Sequence, residues 1–319
     1  MVRMIRLLHA MKFGRGWSER ALLGQKRSAT SLLTKLQCSG RFGNGSLSRL
    51  ALFKLPGCLL LLLMLPPVYA AAVPRSRVCG YSYSLRDIPV NGYHVPVEIY
   101  RPNGSGPFPL VFVLVGSAGA LTRRSVKQPA TDNFGEQQLA SHCFLVVLPH
   151  YLEAVGRKSL TSREEIIARF PELLSAAATL LDDGETRPRM KGRPVFILGD
   201  SLGGYIGVAL ALRRSEVTAV SEVSAGRPKG YDLARKNEPR ILISHGSADA
   251  VVPVSEAQKL RQYCIAHSIP VVMNIYPGEG HYLSQTIQQR IILRSIKFFL
   301  NNHQAPDRRA NRSDQAPRK

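Results

Sequence analysis

The sequence predicts an α/β fold in which helices cover both faces of a mostly parallel central sheet. Within residues 71–302, apolar runs typical of strands alternate with amphipathic segments typical of helices, which is the order of a parallel sheet with crossover helices. Several runs are continuously apolar, as expected for strands buried on both faces. No internal repeat interrupts this order, and a content of 45% hydrophobic and 20% charged residues is typical of a globular protein.

The predicted elements follow one another regularly along this segment. The first, YHVPVEIYRP at 93–102, alternates in polarity and predicts an antiparallel edge strand. The connection between the strands at 216–224 and 239–246 has only about fifteen residues, so no large lid domain is expected. The other predicted strands are 108–116, 143–150, 193–200 and 270–277, and the predicted helices are 162–182, 202–214, 254–267 and 282–301.

Most of the positive charge lies outside this segment. The chain of 319 residues carries a net charge of +21. Residues 1–70 contain eleven Lys or Arg and one acidic residue, and residues 303–319 contain five Lys or Arg and two Asp. We interpret 1–54 as a basic leader without defined structure and 303–319 as a disordered basic tail. Charge concentrated in the ends, without a nucleic-acid module, argues against nucleic acid as a partner.

The stretch LPGCLLLLLMLPPVYAAAV at 55–73 has the composition of a secretory signal. It follows basic residues, runs apolar and ends in small residues that suit cleavage near Ala70. Its short apolar core, broken by proline, argues against a membrane-spanning helix. We interpret 55–72 as a signal peptide and 74–302 as the folded domain, so the mature protein is expected to be secreted or periplasmic. An uncleaved membrane anchor and mitochondrial targeting are the alternatives, and a translation start downstream of Met1 would also explain the long leader.

Three cysteines would remain after cleavage of the signal. Cys79, Cys143 and Cys264 allow at most one internal disulfide, and Cys143 falls in a predicted buried strand. This number neither requires nor excludes an oxidising compartment.

The sequence VFILGDSLGG at 195–204 contains the strongest chemical signal in the chain. Gly199-Asp200-Ser201-Leu202-Gly203 fits the pattern G-x-S-x-G between a predicted strand and a predicted helix. In that context the serine occupies a strained turn that projects its hydroxyl, and the glycines avoid collisions with neighbouring elements. Ser201 is therefore the candidate nucleophile, and a plain strand-to-helix turn is the alternative.

A serine nucleophile needs a base, and the base needs a carboxylate that orients it. The expected order along the chain is serine, aspartate, histidine. Asp249 and His281 follow the last two predicted strands, so both belong at the same sheet edge as Ser201. His150 and His245 also end strands and compete as the base, but His245 precedes the acid and His150 follows the wrong strand.

The remaining candidates are an oxyanion hole and three substrate contacts. The N–H groups of Leu202 and of Ser117, in VGSAGA at 115–120, are the expected oxyanion donors, although Ser117 could serve only as a turn residue or helix cap. His150 and Tyr151 follow a central strand and Tyr282 follows the candidate base, so all three are candidate substrate contacts. A solvated loop and the start of a helix are the alternatives for these residues.

These residues together resemble the α/β-hydrolase superfamily and, within it, the dienelactone hydrolase-like group. The resemblance runs from about residue 80 to residue 301 and rests on YRPNGSGPFPLVFVLVGSAG, GDSLGG, HGSADAVVPVSEA and YPGEGHYL. It implies the α/β-hydrolase fold, an eight-stranded sheet and a triad of Ser201, Asp249 and His281. Two positions depart from it. The dienelactone hydrolases proper have a cysteine nucleophile where this chain has Ser201, and many relatives have His-Gly where this chain has Val115-Gly116.

The triad and the resemblance predict a serine hydrolase that cleaves carboxylic esters or lactones through an acyl-enzyme. Serine in place of cysteine favours general ester hydrolysis over dienelactone hydrolysis. A small-molecule ester is the expected partner, no cofactor or metal is required, and membrane contact is expected only through an uncleaved signal. A serine peptidase on the same fold and an inactive hydrolase-fold binding protein are the alternatives.

Overall fold

The computed structural model describes most of the predicted folded domain. Within the described residues, no helix is long and apolar enough to cross a membrane. The predicted leader, the predicted signal peptide and all of the predicted tail beyond His303 lie outside them. The described residues are 78–119, 134–183, 193–233 and 239–303.

Strands and helices alternate along the described residues much as the sequence predicts. The strands are β1 (Tyr81–Val90), β2 (Tyr93–Pro102), β3 (Leu110–Leu114), β4 (Leu145–Pro149), β5 (Val195–Asp200), β6 (Val217–Val223), β7 (Arg240–Gly246) and β8 (Val271–Tyr276). The helices are α1 (Glu136–Ser141), α2 (Arg163–Leu181), α3 (Leu202–Arg213), α4 (Val254–Ala266) and α5 (Gln285–His303), with a short 3₁₀ helix at Tyr151–Val155.

The eight strands form one sheet in the order β1-β2-β4-β3-β5-β6-β7-β8. β2 runs antiparallel to both of its neighbours, and every pair from β4 to β8 is parallel. This architecture confirms the predicted mostly parallel sheet. Parallel strands all end at the same edge, so the loops after β5, β7 and β8 lie side by side.

The prediction that 93–102 is an edge strand is wrong, because β1 pairs along its outer side. Tyr81 lies opposite Pro102, and Val90 lies opposite Tyr93. The two strands are joined by the turn Asn91-Gly92, whose φ angles of 52° and 80° are both positive. Positive φ at both positions characterises the two-residue hairpin turn that Asn-Gly favours.

Consecutive residues of β5 show that α3 and α5 cover opposite faces of the sheet. Phe196 stacks on Phe299 of α5, with ring centroids 4.9 Å apart. A Cβ built on Gly207 of α3 would lie 2.8 Å from the Cγ2 atom of Ile197. Because successive strand side chains point to opposite faces, the sheet forms the middle layer of three. The side chains of Phe196, Ile197 and Phe299 are fully buried in the core.

A disulfide joins Cys79 to Cys143, with Cα atoms 5.3 Å apart. Cys143 lies just before β4, not inside a strand as predicted, and has a φ of 66°. The Cys79 N–H also donates to the Ser141 carbonyl at 2.8 Å. The bond therefore ties the segment before β1 to the α1–β4 connection. Cys264 is buried and free.

Candidate active site

Ser201 occupies a strained turn between β5 and α3. Its φ of 49° and ψ of −116° lie outside the regions that non-glycine residues ordinarily adopt. The Ser201 N–H donates to the Val223 carbonyl of β6 at 2.8 Å, which fixes the turn against the sheet. A Cβ on Gly203 would lie 2.0 Å from the Leu114 carbonyl oxygen, so no larger side chain fits there. The strained backbone and the steric need for glycine are those of a nucleophile elbow.

The three predicted triad residues meet at the carboxyl edge of the sheet. His281 Nε2 lies 3.1 Å from Ser201 Oγ, and His281 Nδ1 lies 2.8 Å from Asp249 Oδ2. The Asp249 side chain is fully buried, whereas 10% of the His281 side chain is exposed. With Nδ1–H donating to the carboxylate, Nε2 is left as the acceptor for the serine hydroxyl. This arrangement can transfer a proton from Ser201 to His281.

Backbone groups hold Asp249 in this position. Its second oxygen, Oδ1, accepts the Val251 N–H at 2.9 Å and the Val252 N–H at 2.8 Å. The loop that carries Asp249 is itself attached to the β8–α5 connection, where His281 lies, because the Ala248 N–H donates to the Glu279 carbonyl at 2.9 Å. The carboxylate and the imidazole are therefore positioned by one connected set of hydrogen bonds.

The segment after β3 presents a backbone N–H beside Ser201. The Gly116 carbonyl accepts the Gly119 N–H at 3.0 Å, so the opposite end of the same planar peptide, the Ser117 N–H, points away from Gly119. A Cβ on Gly116 would lie 3.3 Å from the Ser201 Cβ, which shows how closely this peptide approaches the serine. Within the described ranges, the Ser117 N–H donates to no protein acceptor. The Leu202 N–H begins α3 and has no acceptor within the helix.

Two of the three candidate substrate contacts are buried and already paired. Tyr151 is fully buried, and its hydroxyl donates to the Val115 carbonyl at 2.7 Å. The Nε2 atom of His150 lies 3.0 Å from Glu98 Oε1, and only 6% of the His150 residue is exposed. The prediction that they contact substrate is corrected, because the 3₁₀ helix folds both side chains into the protein. Tyr282 is 87% exposed beside the His281 ring and stays a candidate contact.

Tyr151 instead supports the segment that carries Ser117. Its hydroxyl binds the carbonyl of the residue just before Gly116, and the Ser117 carbonyl accepts the Leu160 N–H at 2.7 Å. Sequence reasoning missed this role, because the tyrosine and its acceptor Val115 are 36 residues apart. A tyrosine directly after a buried strand is the one signal that the sequence offers.

Two acidic side chains behind the elbow have unusual proton affinities. Burial raises the pKa of Asp200 to about 6; the electrostatic interaction with His281 opposes this effect and that with Asp249 adds to it. Burial raises the pKa of Glu222 to about 8, against the effect of the Ala225 N–H, which donates to its Oε2 at 3.0 Å. Sequence reasoning missed Glu222, which looks like an ordinary polar residue of a strand.

The two competing histidines do not reach the serine. His150 is bound to Glu98, as described above. His245 is fully buried next to Asp249, with Nε2 2.8 Å from the Val252 carbonyl and 3.3 Å from Asp249 Oδ2. His281 is therefore the histidine placed to accept a proton from Ser201. Among the described residues, no group of three His, Cys, Asp or Glu side chains is suited to hold a metal ion.

Comparison with known proteins supports a hydrolase. Residues 221–306 match the prolyl oligopeptidase family, and this segment contains Asp249 and His281. A dienelactone hydrolase-like promiscuous phosphotriesterase from metagenomic libraries is 16% identical, with a TM-score of 0.55, and the match covers 70% of this chain and 99% of that one. Dipeptidyl peptidase 4 of Porphyromonas gingivalis is 19% identical, with a TM-score of 0.50, and the match covers 71% of this chain but 36% of that one.

These likenesses, the sheet order and the nucleophile elbow show the α/β-hydrolase fold, as the sequence predicts. No large lid domain is present among the described residues, and the β6–β7 connection, between Val223 and Arg240, is as short along the chain as expected. The likenesses include a dienelactone hydrolase-like phosphotriesterase and peptidases, so they leave the substrate class open.

Proposed function

We propose that this protein is a serine hydrolase that cleaves carboxylic esters or lactones through an acyl-enzyme. The observation that carries the proposal is the hydrogen-bonded series from Ser201 Oγ through His281 to the buried Asp249, with distances of 3.1 and 2.8 Å. A serine held in a strained turn next to an oriented histidine is the arrangement that activates a hydroxyl for acyl transfer.

In the proposed mechanism, His281 Nε2 takes the proton of Ser201 Oγ as the oxygen attacks the ester carbonyl. Asp249 holds the ring in the tautomer that leaves Nε2 free and stabilises the imidazolium that forms. His281 then gives the proton to the departing alcohol, which leaves the acyl group on Ser201. A water molecule, deprotonated by the same histidine, releases the acid and restores the serine.

The N–H groups of Ser117 and Leu202 are the proposed donors to the tetrahedral oxyanion. Each is a backbone group next to Ser201 without a competing acceptor in the described part of the chain. Fixed donors of this kind favour the transition state because they need not reorient as charge develops. The N-terminus of α3 adds a favourable dipole at the same point.

Replacement of Ser201 by alanine tests the proposal. We expect Ser201→Ala to lower kcat/KM for p-nitrophenyl acetate by at least about 10⁴-fold and to abolish labelling by a fluorophosphonate probe. Ser224→Ala is a matched control, because Ser224 is another serine with positive φ, 51°, at the end of the neighbouring strand β6. This variant should retain activity, whereas activity retained by Ser201→Ala would refute the proposed nucleophile.

A serine peptidase is the second candidate, favoured by the match of residues 221–306 to the prolyl oligopeptidase family. The two candidates are separated by presenting one acyl group both as a p-nitrophenyl ester and as a p-nitroanilide. Hydrolysis of the ester alone supports the esterase, and comparable kcat/KM values for ester and anilide support the peptidase.

We also propose that the mature protein is secreted or periplasmic. The Cys79–Cys143 disulfide supports this location, because disulfides form and persist mainly in oxidising compartments. N-terminal sequencing of the protein purified from its native source tests it, since a mature terminus near residue 71 is expected. An intact N-terminus at Met1 would contradict cleavage of the predicted signal.

A further inference from the structure

The buried carboxylate of Asp249 has a second histidine beside it. His245 is the penultimate residue of β7, four residues before Asp249, and its side chain is completely buried. Its Nε2 lies 2.8 Å from the Val252 carbonyl oxygen and 3.3 Å from Asp249 Oδ2, the same oxygen that His281 contacts. The proposed mechanism assigns His245 no role.

The acceptors around His245 identify its protonated nitrogen. A carbonyl oxygen only accepts hydrogen bonds, so Nε2 must carry the hydrogen that points toward Val252. The other ring nitrogen, Nδ1, is buried without a hydrogen-bond partner among the residues that the structure describes. The tautomer with its proton on Nε2 is therefore the one in which the ring N–H has a hydrogen-bond acceptor. That N–H donates to the Val252 carbonyl, and its nitrogen lies 3.3 Å from Asp249 Oδ2.

We propose that His245 is a positioning residue that aims Asp249 at His281. This inference rests on the proposed serine hydrolase function. His245 acts on the carboxylate in two ways. Its Nε2–H group, which donates to the Val252 carbonyl, places partial positive charge 3.3 Å from Oδ2, and this attraction disfavours rotation of the carboxylate away from His281. It also binds the carbonyl of Val252, the residue whose N–H, with that of Val251, holds Oδ1.

Because backbone N–H groups hold Asp249 Oδ1 and His245 binds the Val252 carbonyl, the turn at 249–252 resists reorientation of the Asp249 side chain. Without His245, Oδ1 keeps its two backbone donors, but the Val252 carbonyl loses its partner in a buried site. The loop can then relieve an unpaired carbonyl by shifting, and the carboxylate shifts with it. Because Asp249 sets the tautomer and angle of His281, the loss should appear in the chemical step and not in substrate binding.

The experiment compares three replacements that differ in where they place a donor. His245→Gln puts an amide N–H near the position of Nε2, His245→Asn puts it near Nδ1, and His245→Phe offers none. We expect kcat to fall about 10- to 100-fold in the Asn and Phe variants with KM nearly unchanged, and the Gln variant to recover most of that loss. Thermal unfolding and the yield of soluble protein establish that each variant is folded.

If the Phe variant does not fold, the Gln and Asn pair still decides, because both are polar and only Gln reaches the required position. Equal kcat for Gln and Asn, or a change confined to KM, would overturn the inference. A double-mutant cycle adds a test that a merely structural role would not meet. In an Asp249→Ala background, His245→Asn should change the rate of fluorophosphonate labelling no further.

Failure of the inference can be told from failure of the proposed function. If Ser201→Ala keeps full activity, the serine hydrolase proposal fails and the His245 inference fails with it. If Ser201→Ala is inactive while His245→Asn and His245→Phe react as fast as the wild type, the inference about His245 fails alone.

Discussion

Replacement of Glu222 by glutamine should make the protein more stable at alkaline pH. Glu222 is fully buried in β6; its Oε2 accepts the Ala225 N–H at 3.0 Å, and its Oε1 has no partner among the described residues. Burial and the nearby charge of Asp200 raise its pKa from 4.5 to about 8. Glutamine keeps a carbonyl oxygen for the Ala225 N–H but cannot ionise, so it removes only the cost of the buried charge.

The sign of the effect follows from the raised pKa. The folded protein holds this proton more tightly than the unfolded chain, so the contribution to stability is fully present below about pH 4.5 and is lost as the pH rises through about 8. With pKa values of 4.5 and about 8, the wild type should lose about 3 kcal/mol relative to Glu222→Gln between about pH 5.5 and about pH 8.5.

Urea unfolding of both proteins at these two pH values measures the effect. Glu279→Gln is a suitable control, because the Ser284 side chain and backbone N–H lower the pKa of Glu279. That carboxylate stays ionised in both states across this range, so its difference from the wild type should not change with pH. A Glu222→Gln difference that is equally independent of pH would refute the reasoning, since the buried carboxyl would then not be changing its protonation.

Three further predictions concern a disulfide and two residues that support the fold and the site. Loss of the Cys79–Cys143 bond, which closes a loop of 64 residues, should lower the unfolding free energy by about 4 kcal/mol in the chain-entropy account. Comparison of Cys143→Ser with the disulfide-bonded wild type tests this, and an unchanged melting temperature would contradict it. Gly203→Ala would place a Cβ 2.0 Å from a backbone oxygen of β3, so we expect this variant to yield little soluble protein. A normally folded variant would show that the nucleophile elbow is less tightly packed than described. Tyr151→Phe leaves the Val115 carbonyl unpaired, so it should cost about 1–3 kcal/mol of stability and lower kcat with KM unchanged. Wild-type kinetics in this variant would refute the role of Tyr151 in supporting the segment that carries Ser117.

The strands and helices of the central region could be predicted because local periodicity determines them. The helix predicted at 202–214 is observed at Leu202–Arg213, and its start follows from the glycine-rich turn. β1 was missed although YSYSL at 81–85 alternates in polarity, because Arg86-Asp87 and Pro89 break the alternation and nearly all of its side chains are partly or fully exposed. The Asn91-Gly92 turn was the available signal, since this pair between two extended segments predicts a hairpin.

In the site as well, residues placed by the local sequence could be predicted, whereas those placed by contacts distant in the sequence could not. Ser201, Asp249 and His281 could be singled out because each follows a strand that ends at the same edge of the sheet. The burial of Tyr151 and His150 could not be predicted, because HYLEAVGRK looks like a solvated loop until Glu98 of β2 and Val115, just after β3, lie beside it. The environment of Glu222 likewise depends on packing against α3, where a Cβ on Gly204 would lie 3.6 Å from its Cβ.

The central claim is that Ser201 carries the acyl group during turnover, and mass spectrometry tests it most directly. The protein is mixed with p-nitrophenyl acetate, quenched with acid within the first turnover and digested. We predict an acetyl group on the peptide that contains Ser201 in the wild type, and no acetylated peptide in Ser201→Ala. Steady ester hydrolysis without acetyl-Ser201, or an acetyl group that persists at another residue in Ser201→Ala, would contradict the account.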